Sequence, residues 1–177
     1  MNQTEHTSTP RLTGIRNGMI YQDGQWLRDH VIIYDTQIRA ICRELEQDNG
    51  EHPIHWIDAK GMQVVPGFID VHIHGYKGKD VMEGTEEALS HIARELPENG
   101  VTSFLATTMT MGEEQILNAL EAVRTYQKRQ DAYVKSDLDE LDPLGAQIIG
   151  VHLEGPFINK DYKGAQSDRF IIPPQEQ

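Results

Sequence analysis

The segment Val65-Pro66-Gly67-Phe68-Ile69-Asp70-Val71-His72-Ile73-His74-Gly75 constrains the fold more than any other part of the chain. Ile69, Val71 and Ile73 are β-branched aliphatics, and they alternate with the ionisable residues Asp70, His72 and His74. Strand side chains alternate faces with period two, so this pattern puts both imidazoles on one side and an aliphatic row on the other. That row is expected to be buried against helices, as in a parallel sheet. Pro66 and Gly67 before the strand, and Gly75 after it, let the chain turn sharply in and out. The histidines then lie at the strand's C-terminal end, where an α/β barrel builds its chemistry. Spacing alone does not decide their role, because eight histidines in 177 residues give about 0.4 His-x-His pairs by chance. Taken by itself, the pair reads either as metal ligands or as core histidines hydrogen-bonded to backbone.

A second cluster bears on that choice. Ile148-Ile149-Gly150-Val151 is again an aliphatic run, read as a buried strand, and it ends in His152-Leu153-Glu154 before the Gly155-Pro156 break. His152 and Glu154 share one face. A buried carboxylate needs a cation or a metal, and the strand itself offers no Lys or Arg. Two strands ending in His-x-His and His-x-Glu supply a mixed nitrogen and oxygen donor set suited to zinc or another divalent first-row metal.

These two motifs carry a family resemblance. Through Val65 to Gly75 the chain resembles the metal-dependent amidohydrolase superfamily. Through Gly150-Val151-His152-Leu153-Glu154-Gly155-Pro156-Phe157-Ile158-Asn159 and Lys163-Gly164-Ala165-Gln166 it resembles, within that superfamily, the N-acetylglucosamine-6-phosphate deacetylase family. The fold this implies is α/β: the first three βα units of a (β/α)8 TIM-type barrel, preceded by a small all-β module. The implied reaction is metal-dependent hydrolysis of the acetamide of N-acetylglucosamine 6-phosphate to glucosamine 6-phosphate and acetate. By the same resemblance Glu154 is the metal-binding glutamate, and His72 and His74 are ligands of members that hold a second metal. Ala165 and Gln166 fall where the family contacts its sugar phosphate, and Asp70 and His152 support the ligands from behind. The implied cofactor is a divalent metal, one or two per site, zinc foremost with iron or another first-row metal also compatible. The implied assembly is a homodimer.

The family's two later histidine ligands and its proton-transferring aspartate have no counterpart here, and no histidine follows His152. A barrel needs ~250 residues. The chain is therefore expected to be the N-terminal portion of a longer enzyme, with its catalytic aspartate beyond Gln177 and no activity of its own. Competing readings are another amidohydrolase, such as a cyclic-amide hydrolase or D-aminoacylase, and a non-catalytic truncated product.

Composition narrows the partners. A net charge of -12 argues against nucleic-acid binding, which requires clustered Lys and Arg. Hydrophobic content of 38% and mean hydropathy of -0.54 fit a piece of a larger core. The single cysteine, Cys42, excludes an internal disulfide and is read as a small core residue in a reducing compartment. Met1 to Pro10 has no apolar signal segment, and no run suits a membrane span, so a cytoplasmic protein is expected.

Residues 1–10 are expected to be a disordered tail, 11–65 a β-sandwich-like module and 66–177 the truncated barrel. The module is read from alternating segments at Gly14 to Tyr21, Gln25 to Leu27, His30 to Tyr34, Ile38 to Cys42, His55 to Ile57 and Gln63 to Val65, with an Asp23-Gly24 hairpin turn. Its histidines, His30, His52 and His55, are read as surface residues. In the second part a Gly75 to Gly84 loop leads to a helix over Thr85 to Glu98, with His91 off the centre of its apolar face. A strand follows over Val101 to Thr107, and then a helix opened by a Thr110-to-Glu113 capping box in which Ile116, Leu120 and Val123 share a face. The acidic stretch from Asp131 to Pro143 is read as a solvated loop.

Overall fold

The computed structural model describes residues 12–43, 54–135 and 144–174. The expected tail, His52 and the acidic residues Asp137, Asp139, Glu140 and Asp142 lie outside the described residues. The chain divides into two compact units, Met1–Pro66 and Gly67–Gln177.

In the first unit the described residues form β1 (Thr13–Arg16), β2 (Met19–Gln22), β3 (Gln25–Leu27), β4 (His30–Tyr34), β5 (Ile38–Arg43), β6 (His55–Asp58) and β7 (Gln63–Val64). They make one sheet ordered β5-β4-β1-β6 and another ordered β3-β2-β7. The stretch expected as one segment from Gly14 to Tyr21 is two strands, because Asn17 adopts a left-handed φ of 57° and breaks the ladder. Asp23 and Gly24 are both left-handed, at φ 49° and 79°, which is the two-residue turn that matches strand twist. Ile20, Val31 and Ile33 are buried. Cys42 is free and half-buried, and His55 is exposed.

The second unit is a mixed α/β fold. Its elements are β8 (Phe68–Ile73), β9 (Gly75–Tyr76), β10 (Lys79–Asp80), α1 (Glu86–Glu95), β11 (Val101–Thr108), α2 (Glu113–Lys135) and β12 (Gln147–Leu153). β8 and β12 pair in parallel with opposite edges of β11. Between β8 and α1 the chain is more ordered than an open loop. β9 and β10 form a hairpin, and a short 3-10 turn at Val81–Glu83 is closed by a reciprocal Asp80 and Glu83 capping box. Thr85 caps α1 by accepting the Ala88 N–H at 3.2 Å. Leu89, Ile92 and Ala93 of α1 are fully buried in one cluster with Phe104 and Ala106 of β11, and Ala88 is likewise buried.

Three expectations are corrected here. Thr110 does not cap α2, because its amide and hydroxyl both bond elsewhere, to Gln166 and Glu154, and the helix starts at Glu113 with Gly112 accepting the Ile116 N–H. Residues 131–135 are helical rather than loop. The aliphatic row of β8 is not buried throughout: Ile69 and Val71 are each 60% exposed, and only Ile73 packs on the core. The core under α1 and α2 centres on β11 and on Ile148, and β8 is the sheet edge, so it receives cover at one end only. Ile149 and Leu153 of β12 are likewise about half exposed. Among the described residues no helix is long and apolar enough to cross a membrane.

Buried polar side chains hold α2 to the sheet. Tyr126 donates its hydroxyl to Leu144 O at 3.1 Å, and burial pushes that phenol's pKa up. Gln130 donates to Ala146 O and accepts from the Ile148 N–H, both at 3.0 Å, so one amide closes the start of β12. Truncating it strands a donor and an acceptor in the core. Gln130→Ala is expected to lower stability by about 2–3 kcal/mol, at ~1–3 kcal/mol for each buried group left unpaired. Urea denaturation checks this, and an unchanged midpoint would show that the bridge is not a stabilising one.

Candidate metal centre

Parallel pairing puts the C-terminal ends of β8, β11 and β12 on one side of the sheet, and the ionisable residues of both motifs gather there. The β8 register slips on the way. Asp70 lies opposite Phe104 and Ile73 opposite Ala106, so β8 spends one more residue than β11 over that interval. Such a bulge frees backbone amides from the ladder and re-aims side chains. Side chains pick up the freed groups: Asp70 Oδ1 accepts the His72 N–H at 3.0 Å, and Thr107 Oγ1 accepts the Ile73 N–H at 3.0 Å.

The two imidazoles then converge with the β12 carboxylate. His72 Nε2 and His74 Nε2 are 3.3 Å apart. Glu154 Oε2 lies 3.2 Å from the first and 3.0 Å from the second. His74 Nδ1 is 3.2 Å from Thr107 O, and a carbonyl can only accept. In the neutral ring the proton is therefore on Nδ1, and Nε2 presents its lone pair inward. Glu154 Oε2 is buried and finds no partner of hydrogen-bonding geometry despite the two nitrogens beside it. Two ring nitrogens and a carboxylate oxygen facing one point is an arrangement a cation can satisfy. The donor chemistry agrees, since bonds of ~2.0–2.2 Å in a tetrahedral zinc site separate ligand atoms by ~3.3–3.5 Å, close to the spacings observed.

His72, His74 and Glu154 thus come together as one ligand cluster. His152 stays outside it but touches it. Its ring packs edge-on against His72 at 4.6 Å, and its Nδ1 donates to Val71 O at 3.2 Å, tying β12 to β8. Asp70 holds the His72 backbone rather than its ring. Ala165 is exposed, while Gln166 is buried, its carbonyl oxygen accepting the Thr110 N–H at 2.8 Å and its amide nitrogen facing Met109 Sδ at 3.5 Å. His91 is remote from the cluster, on α1, with its Nε2 buried and without a hydrogen-bond partner. The sequence reading missed Thr107 and Thr110. The available signal was a polar run, Thr107-Thr108-Met109-Thr110, closing an otherwise apolar strand.

Comparison with known proteins shows that the chain belongs to the amidohydrolase family. The model of the amidohydrolase family matches residues 63–168. Among curated relatives, the N-acetylglucosamine-6-phosphate deacetylase of Bacillus subtilis is 39% identical over 110 residues, which are 62% of this chain and 26% of the relative. That of Vibrio furnissii is 35% identical over 147 residues, 83% of this chain and 33% of the relative. The chain thus spans about a third or less of these relatives' length. Among solved structures, N-acetylglucosamine-6-phosphate deacetylase from Thermotoga maritima superposes with a TM-score of 0.60 at 31% identity, over 82% of this chain and 33% of that one. The enzyme of the same description from Pasteurella multocida gives a TM-score of 0.76 at 23% identity, over 93% of this chain and 39% of that one, a likeness of fold.

If Glu154 Oε2 is the shared ligand, Glu154→Ala should abolish tight metal retention, whereas His72→Asn with His74→Asn should remove about one metal equivalent. Elemental analysis of the purified proteins after dialysis is the check, and full metal content in Glu154→Ala would exclude the cluster as a metal site.

Proposed function

From a chain that belongs to the amidohydrolase family, we propose a metal-dependent hydrolase that cleaves the acetamide of N-acetylglucosamine 6-phosphate, giving glucosamine 6-phosphate and acetate. The observation that carries this is the orphaned Glu154 Oε2 facing His72 Nε2 and His74 Nε2 at the C-terminal edge of three parallel strands. Support for the substrate comes from the relatives of Bacillus subtilis and Vibrio furnissii, both N-acetylglucosamine-6-phosphate deacetylases. On this reading β8, β11 and β12 are the first strands of a (β/α)8 barrel, and the strands before Pro66 are a separate β module.

Glu154, His72 and His74 are proposed as ligands of one or two divalent metals, zinc fitting the donor set. When bound, such a metal supplies Lewis-acid activation of water and of the amide carbonyl. The protein's own residues set the geometry. Glu154 contributes the anionic ligand from β12. His74 is kept in the Nδ1–H tautomer by Thr107 O, and His152 packs against the His72 ring. Ala165, exposed on the segment after β12, is the residue proposed to meet the sugar phosphate. The proposed assembly is a homodimer.

A gene product that also supplies the family's later histidines and aspartate should release acetate from N-acetylglucosamine 6-phosphate, lose that activity on chelation and regain it with zinc. In the same assay Glu154→Ala should fall by about 10³-fold or more, the scale of removing a group that stabilises the transition state. A metal-loaded protein that prefers dihydroorotate or an N-acyl-D-amino acid would replace this substrate assignment with the corresponding one.

A further inference from the structure

β11 contributes no metal ligand, yet it is the strand between the two that do. Of the three buried threonines at its C-terminal end, Thr107 within the strand and Thr110 just past it each bond to a different side of the cluster. Toward β8, the Thr107 hydroxyl accepts the Ile73 N–H at 3.0 Å and donates to Leu105 O at 3.2 Å, while its carbonyl takes the His74 Nδ1–H at 3.2 Å. The residue between His72 and His74 is thereby fixed at the point where the β8 bulge has broken the ladder. Toward β12, the Thr110 hydroxyl donates to Glu154 O at 3.1 Å. A Cβ on Gly155, the next residue, would collide with that hydroxyl, so the approach is close. Thr110 is itself held, because its N–H donates to Gln166 Oε1 at 2.8 Å, and Lys163 Nζ donates to Gln166 O at 2.9 Å.

We propose that Thr107 and Thr110 are positioning residues of the metal centre, one for the histidine pair and one for Glu154, and that Gln166 acts with Thr110 rather than by touching substrate. The inference rests on the metal-centre reading above. Physically, a strand's end is positioned by the strand it pairs with, and the ligands come from two strands that share one such neighbour. Strand β11 is that neighbour for both. A threonine can serve there because its hydroxyl is at once donor and acceptor, and its branched Cβ restricts the rotamers that would release it. Gln166 is 3% exposed with its carbonyl oxygen engaged, so the hydrogen bond it makes is to the brace.

The test is direct metal binding by the gene product in the absence of substrate, with Zn2+ in competition titration and Co2+ followed by its visible absorption. Thr107→Val and Thr110→Val keep the shape and lose the hydroxyl. Each is expected to weaken binding about 10-fold or more, the usual effect of losing a residue behind a metal ligand, and to alter the Co2+ band. Thr107→Ser and Thr110→Ser should return to within about threefold of wild type, since the hydroxyl is restored. If either valine variant fails to fold, the Gln166 pair decides: Gln166→Leu should weaken metal binding, and Gln166→Glu, which keeps an acceptor for the Thr110 N–H, should retain most of it. Valine variants, or Gln166→Leu, that match a metal-binding wild type in affinity and spectrum overturn this inference alone. A wild type that takes up neither ion overturns the metal-centre reading and this inference with it.

Discussion

Parallel pairing of β8 and β12 on either side of β11 is the constraint from which the site follows. The backbone of β11 fixes the level at which both neighbours end, so two segments distant in sequence deliver His72, His74 and Glu154 to one point. The same pairing depends on the core beneath it. Phe104 and Ala106 face α1, Ile148 is gripped by Gln130 of α2, and Ala146 bonds through its N–H to Ala93 O at 2.7 Å. Gly145, at φ 77°, makes that last contact feasible, because any Cβ there would strike the Ala93 carbonyl. Packing and backbone satisfaction on the helix side therefore determine the ligand geometry on the other end of the strands.

The clustered residues were legible in the sequence because period-two alternation converts spacing into direction. His72 and His74 on one face, and Glu154 at the end of a second aliphatic run, follow from strand geometry and from the cost of a lone buried carboxylate. What was not legible depends on the register between strands and on tertiary cover. The β8 bulge leaves no mark in the sequence, so the use of Asp70 and Thr107 as acceptors for freed amides could not be read. Thr110 and Glu113 have the form of a capping box, but the competing partners of Thr110, Glu154 and Gln166, lie more than forty residues away and outbid the local pattern. Aliphatic alternation at Ile69 and Val71 reported the capacity of that face to be buried, and burial itself depends on what packs there.

Two arrangements compete to satisfy the buried Glu154 oxygen, and geometry separates them. One is an ion pair with protonated imidazole, since both Nε2 atoms lie within 3.2 Å of Oε2. That reading needs an Nε2–H aimed at the carboxylate, and Oε2 receives no contact of that geometry. Protonating both rings would also set two cations with nitrogens 3.3 Å apart, a repulsion of roughly 5 kcal/mol at an effective dielectric of 20. Protonating one at Nε2 lets it donate to the other ring at 3.3 Å but leaves the carboxylate oxygen without a donor. On the proposed reading a divalent cation would answer all three groups at once, keep both rings neutral and meet the carboxylate charge directly. The hydrogen bond from His74 Nδ1 to Thr107 O is then what a ligand histidine requires of its other nitrogen, and the backbone of β11 is already in position to provide it.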